Sequence, residues 1–180
     1  MRNIILMAVV AAGLLLSPVS AFAAEAKVAI VNTQKIMAES LAAKSIQTQL
    51  DKHRKSFQEE FSKLERDLME KEKSLVELRS KLSPEEFEKK GQEYKDEVQR
   101  VQKMVQQRRQ SLEQGANVAL NELRSKVFEI VNGIAEKDQY DIVLARQNVI
   151  WTKKEMDITD AVMAQLDKSL KQVDLKVSTN

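Results

Sequence analysis

The sequence contains no cysteine, a single histidine, and little glycine, proline or aromatic residue. Each scarcity removes a class of protein. Without cysteine there is no disulfide framework, no thiolate zinc site, no cysteine nucleophile and no cysteine-linked lipid anchor. His53, the single histidine, has no other ligand-type residue spaced to share a metal with it, and no serine near it in a catalytic arrangement. No nucleophile elbow or nucleotide-binding loop is present. The acid pairs Glu59-Glu60 and Glu85-Glu86 are adjacent on helical sequence, so their carboxylates point apart. No enzyme chemistry, cofactor or metal is expected. Aromatics make up 4% of the chain and charged residues 31%, which is the balance of long exposed helices rather than of a thick core.

The chain opens "MRNIILMAVVAAGLLLSPVSAFA". Arg2 supplies a positive start, Ile4 to Leu16 an apolar run, and Ala21-Phe22-Ala23 a small-x-small cleavage site. Residues 1–23 therefore read as a cleavable secretory signal, too short and too interrupted for a membrane span. The exported remainder is long enough for one domain, and it must be held by packing or by oligomerisation.

"KVAIVNT" (27–33) reads as a strand running into a helix capped by Asn32 or Thr33. From about Gln34 to Leu82 the pattern is helical. A stripe runs through Ile46, Leu50, His53, Phe57, Phe61, Leu64, Leu68, Lys71, Leu75, Leu78 and Leu82 in steps of three and four residues. A second stripe runs through Phe87, Gly91, Tyr94, Val98, Val101, Val105, Arg108, Leu112, Ala116, Ala119, Leu123, Val127, Ile130 and Ile134. Such spacing is that of a coiled coil, with one eleven-residue element in each stripe, at 50–61 and at 105–116.

Between the stripes stands "KLSPEEFEKKG". Proline inside a helix costs about 3 kcal/mol, so Pro84 marks either a kink or a reversal. Ser83 is a good N-cap, Pro84 suits the first helical position, Glu86 completes a capping box, and Leu82 with Phe87 can form a hydrophobic staple. A fold-back at Ser83 sets residue i opposite roughly residue 167 − i. It thereby brings the two eleven-residue elements to the same height. The expectation is an antiparallel coiled-coil hairpin over 43–131, each arm ~75 Å long at 1.5 Å per residue, with its tip at 82–87.

After a helix end near Asp138, "YDIVLA" (140–145) and "NVIWTK" (148–153) read as two strands joined by a tight turn at Arg146-Gln147. "DITDAVMAQLDKSL" (157–170) reads as a helix capped by Asp157, burying Val162, Met163, Leu166 and Leu170. The fold class is thus α+β, a small β body (24–42 and 132–180) carrying a long helical hairpin. Three short strands leave open edges, and so small a core is marginal alone. Val28, Ile30, Ile142, Leu144, Ile150 and Trp151 are the candidate core or subunit interface of an oligomer.

At this point "KVAIVNTQKIMAES", the helical hairpin, "YDIVLARQNVIW" and "MDITDAVMAQL" together resemble the Skp/OmpH family of periplasmic chaperones. The resemblance spans nearly all of the exported chain. It implies a homotrimer whose strands build a central body and whose hairpins surround a cavity. It implies an ATP-independent holdase for unfolded outer-membrane β-barrel proteins in the periplasm. The arms alone fit a second reading, an envelope coiled coil that spaces or tethers partners.

Two further features admit a plain and a functional account. Lys52, Arg54 and Lys55 on the first helix and Arg100, Lys103, Arg108 and Arg109 on the second gather positive charge at mid-arm, and the fold-back sets Arg109 opposite Gln58, just above 52–55. This mid-arm basic belt is either a solvated face or a site for negatively charged clients, anionic lipid or lipopolysaccharide. A nucleic-acid partner is not expected, since no aromatics interleave with the positive residues. Lys71, His53, Gly91 and Arg108 interrupt the stripes, and Gly115 and Gly133 weaken the second helix. The expectation is a loosely packed, bendable arm, in which Gly115→Ala would stiffen the helix.

Overall fold

The computed structural model describes residues 26–177. The expected signal segment, 1–23, lies outside the described residues. Strand β1 spans Val28–Val31. Helix α1 (Thr33–Glu39) follows, and the Asn32 side chain caps it by accepting from the Lys35 amide. Helix α2 is Leu41–Leu78, helix α3 Pro84–Lys137, strand β2 Ile142–Ala145 and helix α4 Thr159–Ser169.

The first long helix is not continuous from Gln34. It breaks at Ser40, whose backbone is extended at φ −61°, ψ 156° and whose hydroxyl accepts from the Ala43 amide. Asp167 of α4 takes the next free amide, that of Leu41, at 2.8 Å. Two orphan donors at the start of α2 are thus satisfied by one local and one distant side chain. Ser40 is completely buried, so the break is a packed corner.

Between α2 and α3 the chain turns at residues 79–83. Ser83 accepts from the Glu86 amide, and the Glu86 carboxylate accepts from the Ser83 amide at 3.0 Å. Both halves of the expected capping box are present, with Pro84 at the first helical position. Hydrogen bonding by Ser83 holds the Glu86 carboxyl below its ordinary range. Beyond the turn, α3 returns along α2. Lys71 reaches Glu97 at 2.6 Å, and Arg108 lies 3.8 Å from Glu60, each pair within one residue of the expected facing. Every position of the two stripes is buried or half-buried except Lys71.

Helix α3 closes on Gln139, at φ 54°. The Gln139 amide donates to Glu136 and the Tyr140 amide to Ala135, which is the paired-bond C-cap usually built on glycine. That reversal delivers β2 alongside β1. The two strands pair in parallel, Val28 with Ile142 through Val31 with Ala145. β1 is also flanked on its other side by Asp157, through a single bridge at Ile30.

The expected second strand, 148–153, does not form. Residues Arg146–Asn148 make a 3-10 turn, and 149–153 are irregular. The physical reason is the pairing itself. β2 uses one of its edges on β1, which comes from the far end of the sequence, and among the described residues no other strand stands beside the 149–153 segment. At α4 the Asp157 carboxylate accepts from the Thr159 amide at 2.8 Å, and Val162 and Leu166 are completely buried, as expected.

The core lies at the base, where β1, α1, α4 and the start of α2 pack on the end of α3, around Ala29, Ile36, Ile46, Leu123, Val127 and Val162. It extends along both long helices as far as Leu50 and Ala119. A C-terminal tail completes it, with Val173 and Leu175 buried.

Candidate functional site

The outer surface of the base is apolar. Register places Val28 and Ile30 of β1 beside Ile142 and Leu144 of β2, and alternation puts all four side chains on one sheet face. Ala29, Val31 and Val143 turn to the core instead. Ile142 is 48% exposed and Leu144 41%. Ile150 and Trp151 are exposed as well, at 102% and 74%. Four of the six expected interface residues, Ile142, Leu144, Ile150 and Trp151, therefore meet solvent in one copy, whereas Val28 is half-buried and Ile30, at 2% exposed, is already covered. Among the described residues β2 has only β1 beside it, so its second edge carries backbone groups that no strand there pairs.

Three of the arm residues that interrupt the stripes have partners, while Gly91 has open space around it. The Arg108 guanidinium lies 5.3 Å from the centre of the Phe57 ring, and His53 is tilted against the other part of the same ring, 6.1 Å between centroids. Arg108 is mostly covered, with 15% of its side chain exposed, and pairs with Glu60. Lys71 extends its head across to Glu97. The Lys71 ammonium holds the Glu97 carboxyl below its ordinary range, chiefly by hydrogen bonding. Nearby, partial burial and the neighbouring Glu72 carboxylate raise the Tyr94 phenol.

The basic belt resolves into unequal members. Arg108 is committed to Phe57 and Glu60, and Arg100 to Glu97 at 3.3 Å. Arg54 keeps a loose contact with Asp51 at 3.7 Å. Lys52, Lys55, Lys103 and Arg109 are exposed. Arg54 and Arg109 come together on the rim of an open cleft of about 530 Å³ between α2 and α3.

Gly115 has a different neighbour from the one its helix propensity suggests. It is buried, and a Cβ built there would lie 2.5 Å from the carbonyl oxygen of Lys176. The tail crosses the long helices at this point. The Gln49 side-chain amide donates to the Val173 carbonyl at 2.7 Å and accepts from the Leu175 amide at 3.0 Å. Gly115 is thus the seat of a backbone crossing, and the expected loosening of the arm there gives way to close packing. Gly133, by contrast, has open space around it. Sequence reasoning passed over the tail, although Val173, Leu175 and Val177 alternate as a half-buried extended segment should.

Among the described residues no group of histidine, cysteine or acidic side chains could hold a metal ion. No helix there is long and apolar enough to cross a membrane.

Fold and surface define a class: a small α/β base with an open apolar sheet face, bearing two long helices packed on each other. Residues 27–166 match the family described as outer membrane protein (OmpH-like), and the chain belongs to that family. A Skp-like protein of Pseudomonas aeruginosa is 29% identical over 93% of this chain and 99% of its own length. The fold resembles that of an OmpH-like protein of Caulobacter crescentus CB15, ascribed an outer-membrane chaperone role, with a TM-score of 0.79. That likeness holds at 20% identity and covers 87% of this chain and 93% of the other.

Proposed function

We propose that the protein is an ATP-independent periplasmic holdase, which binds unfolded outer-membrane β-barrel proteins, keeps them from aggregating and delivers them toward outer-membrane assembly. The observation that carries this reading is the length of the α2–α3 pair, most of which lies beyond the core. α2 has 38 residues and α3 has 54, or ~57 and ~81 Å at 1.5 Å per residue. Such a pair is an antiparallel coiled-coil arm, too long and too thin to enclose anything alone, and well shaped to enclose a client together with other copies.

The open sheet face supplies the means of association. Ile142, Leu144, Ile150 and Trp151 leave an apolar surface of the kind that soluble proteins cover with a partner. The unpaired edge of β2 calls for another strand, and 149–153 becomes that strand when a second copy offers an edge. In this reading the assembly is a homotrimer, with three arms around a cavity, and membership of the OmpH-like family supports it. Weak apolar and charge contacts at many places hold an unfolded chain without requiring it to fold. Lys52, Lys55, Lys103 and Arg109 add attraction for acidic clients or anionic lipid, strongest at low salt.

The test is aggregation. A urea-unfolded β-barrel protein diluted into buffer stays soluble with near-stoichiometric trimer and no nucleotide. Light scattering that rises at the same rate with and without the protein contradicts the holdase and leaves the spacer.

A further inference from the structure

An open cleft lies between the two long helices where both leave the heptad. The open cleft is lined from 50–61 on α2 and from 109–117 on α3, the stretches that carry the eleven-residue elements. An eleven-residue repeat winds opposite to a heptad. The side chains on its two helices then drift away from the common seam instead of interlocking. Ala116, small for a seam position, fills little of the space. What remains is about 530 Å³, within the roughly 300–1,000 Å³ of small-ligand sites. Its floor is Leu50, Phe57, Phe61 and Leu112, and its rim holds Arg54 and Arg109.

The opposite face of the same stretch already contains an extended peptide, the chain's own tail. At 100° per residue, Gln49, Gly115 and Arg108 turn to one face of the pair, and Arg54, Gln58, Arg109 and Glu113 to the other. On the first face, Val173 and Leu175 of the tail are buried in the core, while the Gln49 amide satisfies a carbonyl and an amide two residues apart. On the second face, Gln58 and Asn117 line the cleft with the same side-chain amides, and among the described residues no extended segment meets them.

Resting on the holdase reading, we propose that this cleft is a second peptide groove, built into each arm, and that it binds an extended segment of client chain. An aromatic side chain of the segment enters between Phe57, Phe61 and Leu112, in the offset or edge-on geometries that ring pairs favour. Carboxylates beside it meet Arg54 and Arg109, and its backbone groups meet Gln58 and Asn117. The rim charge is net positive, since its acid, Glu113, faces two guanidiniums. The client is thus held within single arms as well as among them.

Fluorescence anisotropy tests this with a short labelled peptide carrying one phenylalanine between two glutamates, and with its alanine counterpart. The phenylalanine peptide binds the whole protein roughly tenfold more tightly, the ratio that about 1.4 kcal/mol supplies. Ala116→Leu fills the cleft and abolishes the difference, while melting by circular dichroism is preserved. If that variant unfolds, Arg54→Gln with Arg109→Gln decides instead, lowering affinity and flattening its salt dependence. Equal binding of the two peptides overturns the proposal, as do unchanged affinities in the variants or full displacement by an anionic detergent with no preference for phenylalanine. Aggregation suppression by the parent separates the two readings: suppression with no peptide preference sinks the groove alone, and peptide preference without suppression sinks the holdase alone.

Discussion

The base and the outer arm are built on one sequence pattern and reach different degrees of burial. Near the base, Ile46, Ala119, Leu123 and Val127 are covered almost completely, because α1, α4 and the tail form a third layer over the α2–α3 pair. Farther out, Leu64, Leu68, Leu75 and Leu78 hold the same stripe position on α2 and are half-buried. Fully burying a leucine stabilises by about 1.5–3 kcal/mol, so each outer leucine contributes well under that. Periodicity selects which side chains face inward. The number of layers decides how much that facing is worth. A pair of helices with no third layer is the part of the molecule able to open locally at small cost, which is what the proposed holdase role asks of it.

The largest test of that contrast is a matched pair of truncations. Leu123→Ala costs about 3–5 kcal/mol, in the range for a closed core site, and Leu75→Ala much less, both read by urea unfolding. Equal losses break the comparison. Next comes the boundary between the regions. Gly115→Ala sets a methyl group against the Lys176 carbonyl and costs about 1–3 kcal/mol, as overpacking does. Hydrogen exchange checks it at the Leu175 amide, which loses its protection, while the tip is unaffected. At the tip, Ser83→Ala removes a cap worth about 1 kcal/mol, and faster exchange stays confined to the first turn of α3. The smallest effect is that of pH. Glu86 and Glu97 have carboxyl groups held below the ordinary 4.5. Their contribution is complete above that value and is lost as pH falls through their lowered folded values. Acid therefore frays the tip and the Lys71–Glu97 contact first, visible as faster exchange on the outer arm with the base still protected.

The hairpin tip was legible because its chemistry is local: Ser83, Pro84, Glu86 and Phe87 act within one turn of one another. The stripes were legible because helical period survives whatever packs on it. The strand pairing was not, since β1 and β2 meet across the whole arm and 149–153 finds no strand beside it in a single copy. Ser40 was passed over because it caps without an acid at the third position, its second donor being met by the distant Asp167. Gly115 was read from helix propensity alone, and a tail whose approach no local pattern announces overrode that reading. Of the basic belt, the sequence supplied the members but not their commitments. Arg108 proved to be a packing residue over Phe57, whereas Arg54 and Arg109 came together on a cleft.

The account turns on a body that assembles and arms that hold a client. Native mass spectrometry of residues 24–180, with and without a urea-unfolded outer-membrane β-barrel protein, tests both at once. The account predicts a trimer alone and a trimer bearing one client when the barrel is added. A monomer, or a trimer whose mass the unfolded barrel leaves unchanged, contradicts it.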